Sequence, residues 1–366
     1  MCWGQGVVGQ LGITTPADKS VPTAADNAPT GIVALTAGLV RTCALTNSGN
    51  VWCWGVSNSG GSIGNGSINT PKVPPTQVST LSGVTALASA SGFNCAVAGV
   101  AGEVYCWGTT PLGNYSVPSV VTGVSSVTRV AAGSGGSGGG GVVGHVCAVK
   151  SDSTVICWGS NSLNQLGTGN TVASTPPVPA DGSPASSSTP VTVKIQPSKS
   201  TTATLSGAVA VSAGLYHACA LLADGKIYCW GDNSSGALGT TTTSPWPTWS
   251  AQTGATLVDG ISGAVQLSSG STFNCALLND GTVRCWGDNT YGQIGNGTKT
   301  GPVKTPYNPG LSNVISVMAG NTHACAMLSS GDVKCWGANG YGQIGDNSTV
   351  ERLTPTSTSA GAVFAP

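Results

Sequence analysis

Residues 275–287 read Cys-Ala-Leu-Leu-Asn-Asp-Gly-Thr-Val-Arg-Cys-Trp-Gly, which is a strand, a tight turn and a second strand. The two cysteines are centred on Asp280, and Asn-Asp-Gly is typical of three-residue hairpin turns that a left-handed glycine closes. In that register Cys275 lies directly opposite Cys285. Directly opposed strand residues bring their Cβ atoms within reach of a disulfide, so the spacing predicts a cross-strand bond.

Both faces of this hairpin are apolar. Cys275 and Leu277 share one face, while Ala276, Leu278 and Trp286 share the other, because successive strand residues point to opposite sides. A sheet with two apolar faces has to be covered on both. Stacking between two similar sheets would satisfy that requirement.

The other cysteines repeat the arrangement along the chain. Of the thirteen cysteines, six precede alanine, and a Cys-Trp-Gly triplet follows each of these ten or eleven residues later. The predicted disulfides are Cys43–Cys53, Cys95–Cys106, Cys147–Cys157, Cys219–Cys229, Cys275–Cys285 and Cys325–Cys335. Cys2 is left as a free thiol. Zinc is the alternative, but one cysteine pair per unit lacks the four ligands of a structural zinc site.

Internal repetition predicts the architecture. The cysteines of the Cys-Trp-Gly triplets are spaced 51, 53, 51, 72, 56 and 50 residues apart. Each triplet is followed by a glycine-rich turn such as Gly287–Gly295, a variable Pro/Thr loop, and an apolar strand such as Ala208–Ala213 that leads into the next hairpin. Four short strands per unit of about 50 residues predict an all-β fold, a β-propeller of four-stranded blades.

One stretch makes a family resemblance specific. Residues 213–239 read Ala-Gly-Leu-Tyr-His-Ala-Cys-Ala-Leu-Leu-Ala-Asp-Gly-Lys-Ile-Tyr-Cys-Trp-Gly-Asp-Asn-Ser-Ser-Gly-Ala-Leu-Gly, which closely resembles the repeat of the regulator of chromosome condensation (RCC1-like) family. The resemblance covers nearly the whole chain and implies a seven-bladed propeller. The cysteine pair in each repeat departs from the usual pattern of the family and suggests a secreted branch.

The seventh repeat is split between the two ends of the chain. Gly361–Phe364 matches the start of a repeat, Met1–Gly4 matches its end, and about fifteen residues are missing between the two parts. We therefore expect a single propeller domain over residues 1–366 with six complete repeats and an incomplete seventh. We also expect the chain to be a fragment of a longer protein; the alternative is a ring closed by terminal strands that share the last blade.

Two segments interrupt the repeat. Residues 133–144 are a Gly/Ser run before His145, and residues 168–206 are rich in Ser, Thr and Pro. Both are interpreted as mobile surface loops, where binding functions often reside. A third candidate is the Pro-rich segment that carries Trp246 and Trp249, because exposed tryptophans could anchor a partner.

The three histidines, His145, His217 and His323, occupy one position of the repeat. Equivalent positions of a propeller form a ring about its axis, so these side chains could form a metal or proton-transfer site. The alternative is a local structural role, which Phe and Arg fill in the other copies. The Asp/Asn-rich turns at Asp232, Asp288 and Asp346 weakly resemble calcium loops but lack further acidic ligands, and turn capping is the simpler interpretation.

Charge and motifs restrict the function. Net charge is zero and only 7% of residues are charged, which argues against nucleic-acid binding, and no segment is apolar for long enough to cross a membrane. No catalytic or phosphate-binding motif occurs, so no enzyme activity and no cofactor are expected. We expect a monomeric, extracellular or cell-surface scaffold that binds a protein or glycan partner, because six disulfides imply an oxidising compartment.

Two alternatives remain open. The family resemblance implies guanine-nucleotide exchange on a small GTPase with chromatin binding, although the neutral charge and the cysteine pairs argue against it. A secreted bacterial β-lactamase inhibitor has a similar fold, so inhibition of an enzyme is the other alternative. The sequence contains no specific match to the contact residues of such an inhibitor.

Overall fold

The computed structural model describes residues 1–135, 144–169, 186–198, 201–241 and 252–359. Regular secondary structure in these residues consists of β-strands. The strands β1 to β14 are Cys2–Gly4, Lys19–Thr23, Ile32–Ala37, Arg41–Thr46, Val51–Ser57, Thr70–Gln77, Val84–Ser89, Phe93–Ala98, Glu103–Thr110, Gly113–Val120, Val127–Gly133, His145–Lys150, Val155–Ser160 and Ser186–Thr192. The strands β15 to β28 are Lys194–Ser198, Thr201–Thr204, Ala208–Ala213, His217–Leu222, Ile227–Gly231, Gln252–Leu257, Ala264–Ser269, Phe273–Leu278, Val283–Gly287, Val303–Tyr307, Val314–Ala319, His323–Leu328, Val333–Gly337 and Arg352–Ser357.

The strands form antiparallel blades in chain order. Blade 1 contains β3–β6, blade 2 β7–β10, blade 3 β11–β14, blade 4 β17–β20, blade 5 β21–β24 and blade 6 β25–β28. The first strands of successive blades lie side by side from blade 1 to blade 6 and form the innermost layer of a propeller. A separate two-stranded sheet of β1 and β2, the N-terminal sheet, precedes blade 1.

Each hairpin between the second and third strand has the register that the cysteine spacing predicts. In blade 5, Cys275 pairs with Cys285 and Leu277 with Val283, and the Leu278 carbonyl accepts a hydrogen bond from the Gly281 amide. Six disulfides join the six pairs of opposed cysteines. The spacing determines this pairing because the two strands of a hairpin are neighbours in the chain.

The core lies between the blades. One face of each hairpin packs on the next blade, as where Cys275, Leu277 and Val283 of blade 5 join Val317 and Trp336 of blade 6 in one buried cluster. The tryptophans of the Cys-Trp-Gly triplets in blades 1 to 6 are all buried. The apolar faces of the hairpins therefore pack against neighbouring blades, as the sequence predicts.

The number of blades differs from the prediction. The prediction of a seven-bladed propeller is wrong, because the described residues form six blades with four repeat strands each. Of the described strands, only those of the N-terminal sheet lie between blade 6 and blade 1, and there Cys2 pairs with Thr23 as Cys53 of blade 1 pairs with Thr76. The N-terminal sheet thus corresponds to the two outer strands of a blade.

One of the two insertions contains strands in its described part. Within residues 168–206, β14 is the outer strand of blade 3, and β15 and β16 form a hairpin that extends the sheet of blade 4. The stretch Val191-Thr-Val-Lys-Ile195 alternates apolar β-branched with polar residues, which favours strands, and Val193 and Leu205 are buried in one cluster with residues of blade 4. Most of the 133–144 insertion lies outside the described residues, as do Trp246 and Trp249.

Candidate functional site

The first strand of every blade contains a β-bulge at the same place. In blade 5, Ala264 pairs with Leu278 and Gln266 with Leu277, so Val265 is the extra residue and its side chain projects from the sheet. The same register shift occurs in the other five blades. We call the six extra residues the bulge ring: Val33, Thr85, Thr128, Val209, Val265 and Ile315.

The bulge ring presents apolar side chains to solvent. Its four aliphatic members, on blades 1, 4, 5 and 6, are 41–63% exposed. The other two members are the exposed threonines of blades 2 and 3. Since equivalent positions are related by the rotation of the propeller, these side chains line one end of the inner ring. The aliphatic members of the consecutive blades 4, 5 and 6, Val209, Val265 and Ile315, form an apolar arc, and Val33 of blade 1 stands apart from it. Exposed apolar patches commonly mark interaction sites.

Hydrogen bonds between first strands hold this part of the propeller together. The Val317 amide of blade 6 donates to Oε1 of Gln266 in blade 5 over 2.9 Å, and the Ala319 amide donates to Oγ of Ser268 over 2.9 Å. The Ser269 amide likewise donates to Oγ of Ser212 in blade 4. The bulge ring therefore stands on a preorganised frame, which reduces the entropy lost when a partner binds.

The histidine position of the repeat joins neighbouring blades. Nε2 of His217 in blade 4 lies 3.0 Å from Oδ1 of Asn274 in blade 5, with both side chains buried. Arg41 occupies the same position in blade 1, and its guanidinium donates to Oδ1 of Asn94 and to the carbonyls of Ala90, Ser91 and Phe93 in blade 2. These contacts favour the structural interpretation of the position, because they tie blade 4 to blade 5 and blade 1 to blade 2.

Burial keeps the three histidines neutral. Desolvation, with a smaller contribution from the neighbouring His217, lowers the pKa of His145 to about 3. Desolvation also lowers the pKa of His323 to about 4 and that of His217. Both ring nitrogens of His145 are buried without a hydrogen-bond partner in the described part of the chain. A histidine that stays neutral down to acidic pH is a poor proton-transfer group at neutral pH.

Only glycine fits three residues before the histidine position of the repeat, as at Gly214 and Gly270. A Cβ at Gly270 would lie 2.1 Å from the Phe273 ring, and one at Gly214 would lie 2.2 Å from the His217 ring. The same hypothetical atom at Gly214 would lie 2.6 Å from the carbonyl oxygen of Gly270 in the next blade. The Ala-Gly element of the repeat therefore allows close packing between blades.

Metal and calcium sites find no support in the geometry of the described residues, which contain no group of three potential His, Cys, Asp or Glu ligands. Oδ1 of Asp288 accepts hydrogen bonds from the Thr290 amide and hydroxyl, and Oδ1 of Asp346 does the same for Ser348. These aspartates cap their own turns. Within the described ranges, no helix could span a membrane.

Cys2 remains the free cysteine of the structure. It lies in β1, partly buried, and burial raises the pKa of its thiol. Sequence reasoning identified this thiol but missed the bulge ring. A bulge is visible only once the pairing of the first two strands is known.

Comparison with known proteins identifies a family profile, that of the RCC1-like domain, which matches residues 1–357. The human E3 ubiquitin-protein ligase HERC2 is 26% identical over 317 residues, which are 83% of this chain and 6% of the ligase. The human probable E3 ubiquitin-protein ligase HERC6 is 29% identical over 276 residues, 74% of this chain and 25% of that protein. The chain thus spans a quarter or less of the length of these relatives.

Solved structures share the fold. Prp20p of Saccharomyces cerevisiae superposes with a TM-score of 0.77 and 21% identity, covering 99% of this chain and 86% of Prp20p. Human WBSCR16 superposes with a TM-score of 0.75 and 17% identity, covering 100% of this chain and 95% of that protein. At such identities the likeness concerns the fold alone.

Proposed function

The chain belongs to the RCC1-like domain family, and from that premise we propose that it is a non-catalytic scaffold that binds a partner protein. The bulge ring is the observation that carries this proposal. It places exposed aliphatic side chains, three of them on the consecutive blades 4 to 6, at one end of the inner strands, where the buried His217 and Arg41 serve contacts between blades. A partner with an apolar centre and a polar rim fits such an arc.

We further propose that the scaffold works outside the cell or at its surface. The six disulfides of the structure suggest an oxidising setting. Net charge is zero and only 7% of residues are charged, so no overall positive charge would attract nucleic acid or anionic lipid. A single propeller domain that acts as a monomer agrees with the continuous repeat.

The experiment is partner capture with matched variants. A photo-crosslinking amino acid at Val265 should label a defined protein in the extracellular fraction of the source organism. Val265→Lys/Ile315→Lys should abolish capture, because two charges interrupt the apolar arc. The matched control Thr85→Lys/Thr128→Lys puts two lysines in the same ring on blades 2 and 3 and should retain capture. Equal loss in both variants would contradict the assignment of the surface.

Other outcomes separate the alternatives. Binding on a glycan array that Val265→Lys/Ile315→Lys abolishes would identify a glycan partner instead of a protein. Hydrolytic turnover of any substrate in a broad panel would contradict the non-catalytic assignment. Selective loss of activity of one captured enzyme on binding would favour the inhibitor alternative.

Nucleotide exchange is the second candidate function, and the fold shared with Prp20p favours it. The structural work on Prp20p concerns its binding to Gsp1p and histones. Release of labelled GDP from small GTPases tests this candidate directly. Faster release of GDP in the presence of the disulfide-bonded chain would support nucleotide exchange. A release rate equal to that of the GTPase alone would contradict it.

A further inference from the structure

The first strands of the six blades are almost free of charge. Together, β3, β7, β11, β17, β21 and β25 contain one charged residue, Arg129 of β11 in blade 3. Arg129 directly follows Thr128 of the bulge ring, so it lies at the same end of these strands. The neighbour of β11 is β17 of blade 4, which carries Val209 of the apolar arc. A single positive charge therefore lies beside the arc.

The fold does not require an arginine at this position of the repeat. In blade 5 the residue after the bulge is Gln266, and its Oε1 accepts the hydrogen bond from the Val317 amide of blade 6. An arginine side chain carries donors only, so it cannot replace that acceptor. In blades 1, 2 and 4 the same position holds a small residue, Ala34, Ala86 and Ala210. Neither the packing nor the hydrogen bonds of the repeat therefore account for the arginine.

The guanidinium of Arg129 is accessible and has no acidic partner. Of the four arginines of the chain, Arg129 is the one that is exposed. Its Nη1 donates to the Thr128 carbonyl over 2.8 Å, which holds the guanidinium beside the bulge ring. None of the ion pairs among the described residues includes it. The acids in the hairpin turns of blades 3 and 4, Asp152 and Asp224, lie 3.6 and 2.7 Å from a lysine of their own hairpin.

We propose that Arg129 binds the carboxylate of an aspartate or glutamate side chain in the partner protein, and that apolar residues of the same segment cover the apolar arc. This contact rests on the proposed scaffold function and specifies the chemistry of its partner. A guanidinium offers a planar fork of donors that matches a carboxylate in two parallel hydrogen bonds. The apolar part of the segment excludes water from the contact, which strengthens the attraction between the two charges.

The surroundings of Arg129 favour a side chain over a carboxyl terminus. On one side lies the apolar arc of blades 4 to 6, and on the other lie the two threonines of the bulge ring, Thr85 and Thr128. A segment that crosses the bulge ring continues on both sides of its acidic residue, with apolar side chains toward the arc and polar ones toward the threonines. A terminal carboxylate at Arg129 would leave one of these two surfaces uncovered.

The test uses the full disulfide-bonded chain and a phage-displayed library of random peptides. The peptides are inserted between two folded domains of the coat protein, so that none has a free carboxyl terminus. Counter-selection on Val265→Lys/Ile315→Lys removes peptides that bind elsewhere. We expect the remaining peptides to combine an aspartate or glutamate with apolar residues. A second library with free carboxyl termini is selected in parallel.

The dissociation constant of an enriched peptide then isolates the contact. Fluorescence anisotropy of the labelled peptide should show that Arg129→Gln raises the dissociation constant about tenfold or more. Replacement of the acidic peptide residue by its amide should have the same effect on the unsubstituted chain. The two changes together should cost no more than either alone, because they remove one and the same interaction.

Two further variants serve as controls. Arg129→Lys should keep part of the affinity, because the ammonium retains the charge but lacks the planar fork. Arg284→Gln removes a partly exposed arginine of blade 5 that bonds within its own hairpin, and it should leave the dissociation constant unchanged. Since Arg129 is exposed and its hydrogen bond is to the adjacent residue, Arg129→Gln should unfold at the same urea midpoint as the unsubstituted chain.

The role of Arg129 is supported if its substitution weakens binding only when the peptide carries the acidic residue. Equal dissociation constants for the acidic peptide and its amide would overturn the proposal. Enrichment of purely apolar peptides would overturn it too, but would leave the scaffold proposal intact. Enrichment only from the library with free carboxyl termini would assign Arg129 to a terminal carboxylate and overturn it. If no peptide distinguished the unsubstituted chain from Val265→Lys/Ile315→Lys, the bulge ring itself would be refuted as a binding surface, and this contact with it.

Discussion

The indole Nε1 of Trp3 donates a hydrogen bond to the backbone carbonyl of Gln343 over 3.0 Å, joining residues that are 340 positions apart. The same bond links neighbouring blades elsewhere, as from Trp54 to Gln10 and from Trp336 to Gln293. Next to it, the Asn347 amide donates to the Ser20 carbonyl. The N-terminal sheet is thus hydrogen-bonded to blade 6 in the same way as the third strand of blade 6 is hydrogen-bonded to blade 5.

Removal of the Trp3 indole N–H should loosen this joint. Trp3→Phe keeps an aromatic ring but leaves the Gln343 carbonyl without its donor, which costs about 1 kcal/mol. We expect faster hydrogen exchange in β1, in β2 and at the Asn347 amide, with exchange in blade 3 unchanged. Native-state exchange read by mass spectrometry measures this. Uniform acceleration across all blades would contradict a local joint.

The contribution of this tryptophan hydrogen bond to stability can be measured inside the propeller by comparing two tryptophans. Trp286 donates to the Ala237 carbonyl over 3.0 Å, while Nε1 of Trp107 is buried without a partner, and both side chains are fully buried. Trp286→Phe and Trp107→Phe remove the same volume. We therefore expect Trp286→Phe to lower the free energy of unfolding by about 1 kcal/mol more than Trp107→Phe. Urea denaturation of both variants checks this, and equal losses would refute the contribution of the bond.

Arg41 should be a strong contributor to stability. Its buried guanidinium binds three carbonyls and the Asn94 side chain of blade 2. Arg41→Ala removes these four hydrogen bonds, while Asn94 Oδ1 keeps the Ser89 hydroxyl and the Phe93 carbonyl keeps the Ala90 amide as donors. We expect a loss of about 3 kcal/mol. The control Arg284→Ala removes a partly exposed arginine that bonds within its own hairpin, and about 0.5 kcal/mol or less should be lost. Equal shifts of the urea midpoint in Arg41→Ala and Arg284→Ala would contradict a role of Arg41 between blades.

Stability in acid should depend on His145. Its pKa in the folded protein is about 3, below the usual value near 6.5, so the unfolded chain takes up the proton first as pH falls. Stability is therefore fully present above pH 6.5 and decreases toward pH 3, by up to about 1.4 kcal/mol per pH unit. His145→Phe introduces the residue that blades 2 and 5 have at this position, Phe93 and Phe273, and should flatten this dependence. If the unsubstituted protein and His145→Phe gave parallel profiles of the free energy of unfolding against pH, the contribution of His145 would be refuted.

Local features of this protein were predictable, and long-range ones were less so. The pairing of Cys275 with Cys285 follows from ten residues of sequence, because a hairpin brings near neighbours together. The role of His217 depends on Asn274, 57 residues away in another blade. The exposure of Ile32 could not be read from its own segment, since Val84 has the same local pattern and is buried.

Cys2 should be the single alkylation site of the denatured, unreduced protein. Thirteen cysteines with six disulfides leave one thiol, so iodoacetamide should add one group before reduction and thirteen after it. In the folded protein, burial raises the pKa of this thiol, and the thiolate is the reacting form. We expect native alkylation to be slower than in urea and its rate to keep rising above pH 9. Intact-mass spectrometry measures both, and a native rate equal to that in urea would contradict the partly buried position of Cys2 in β1.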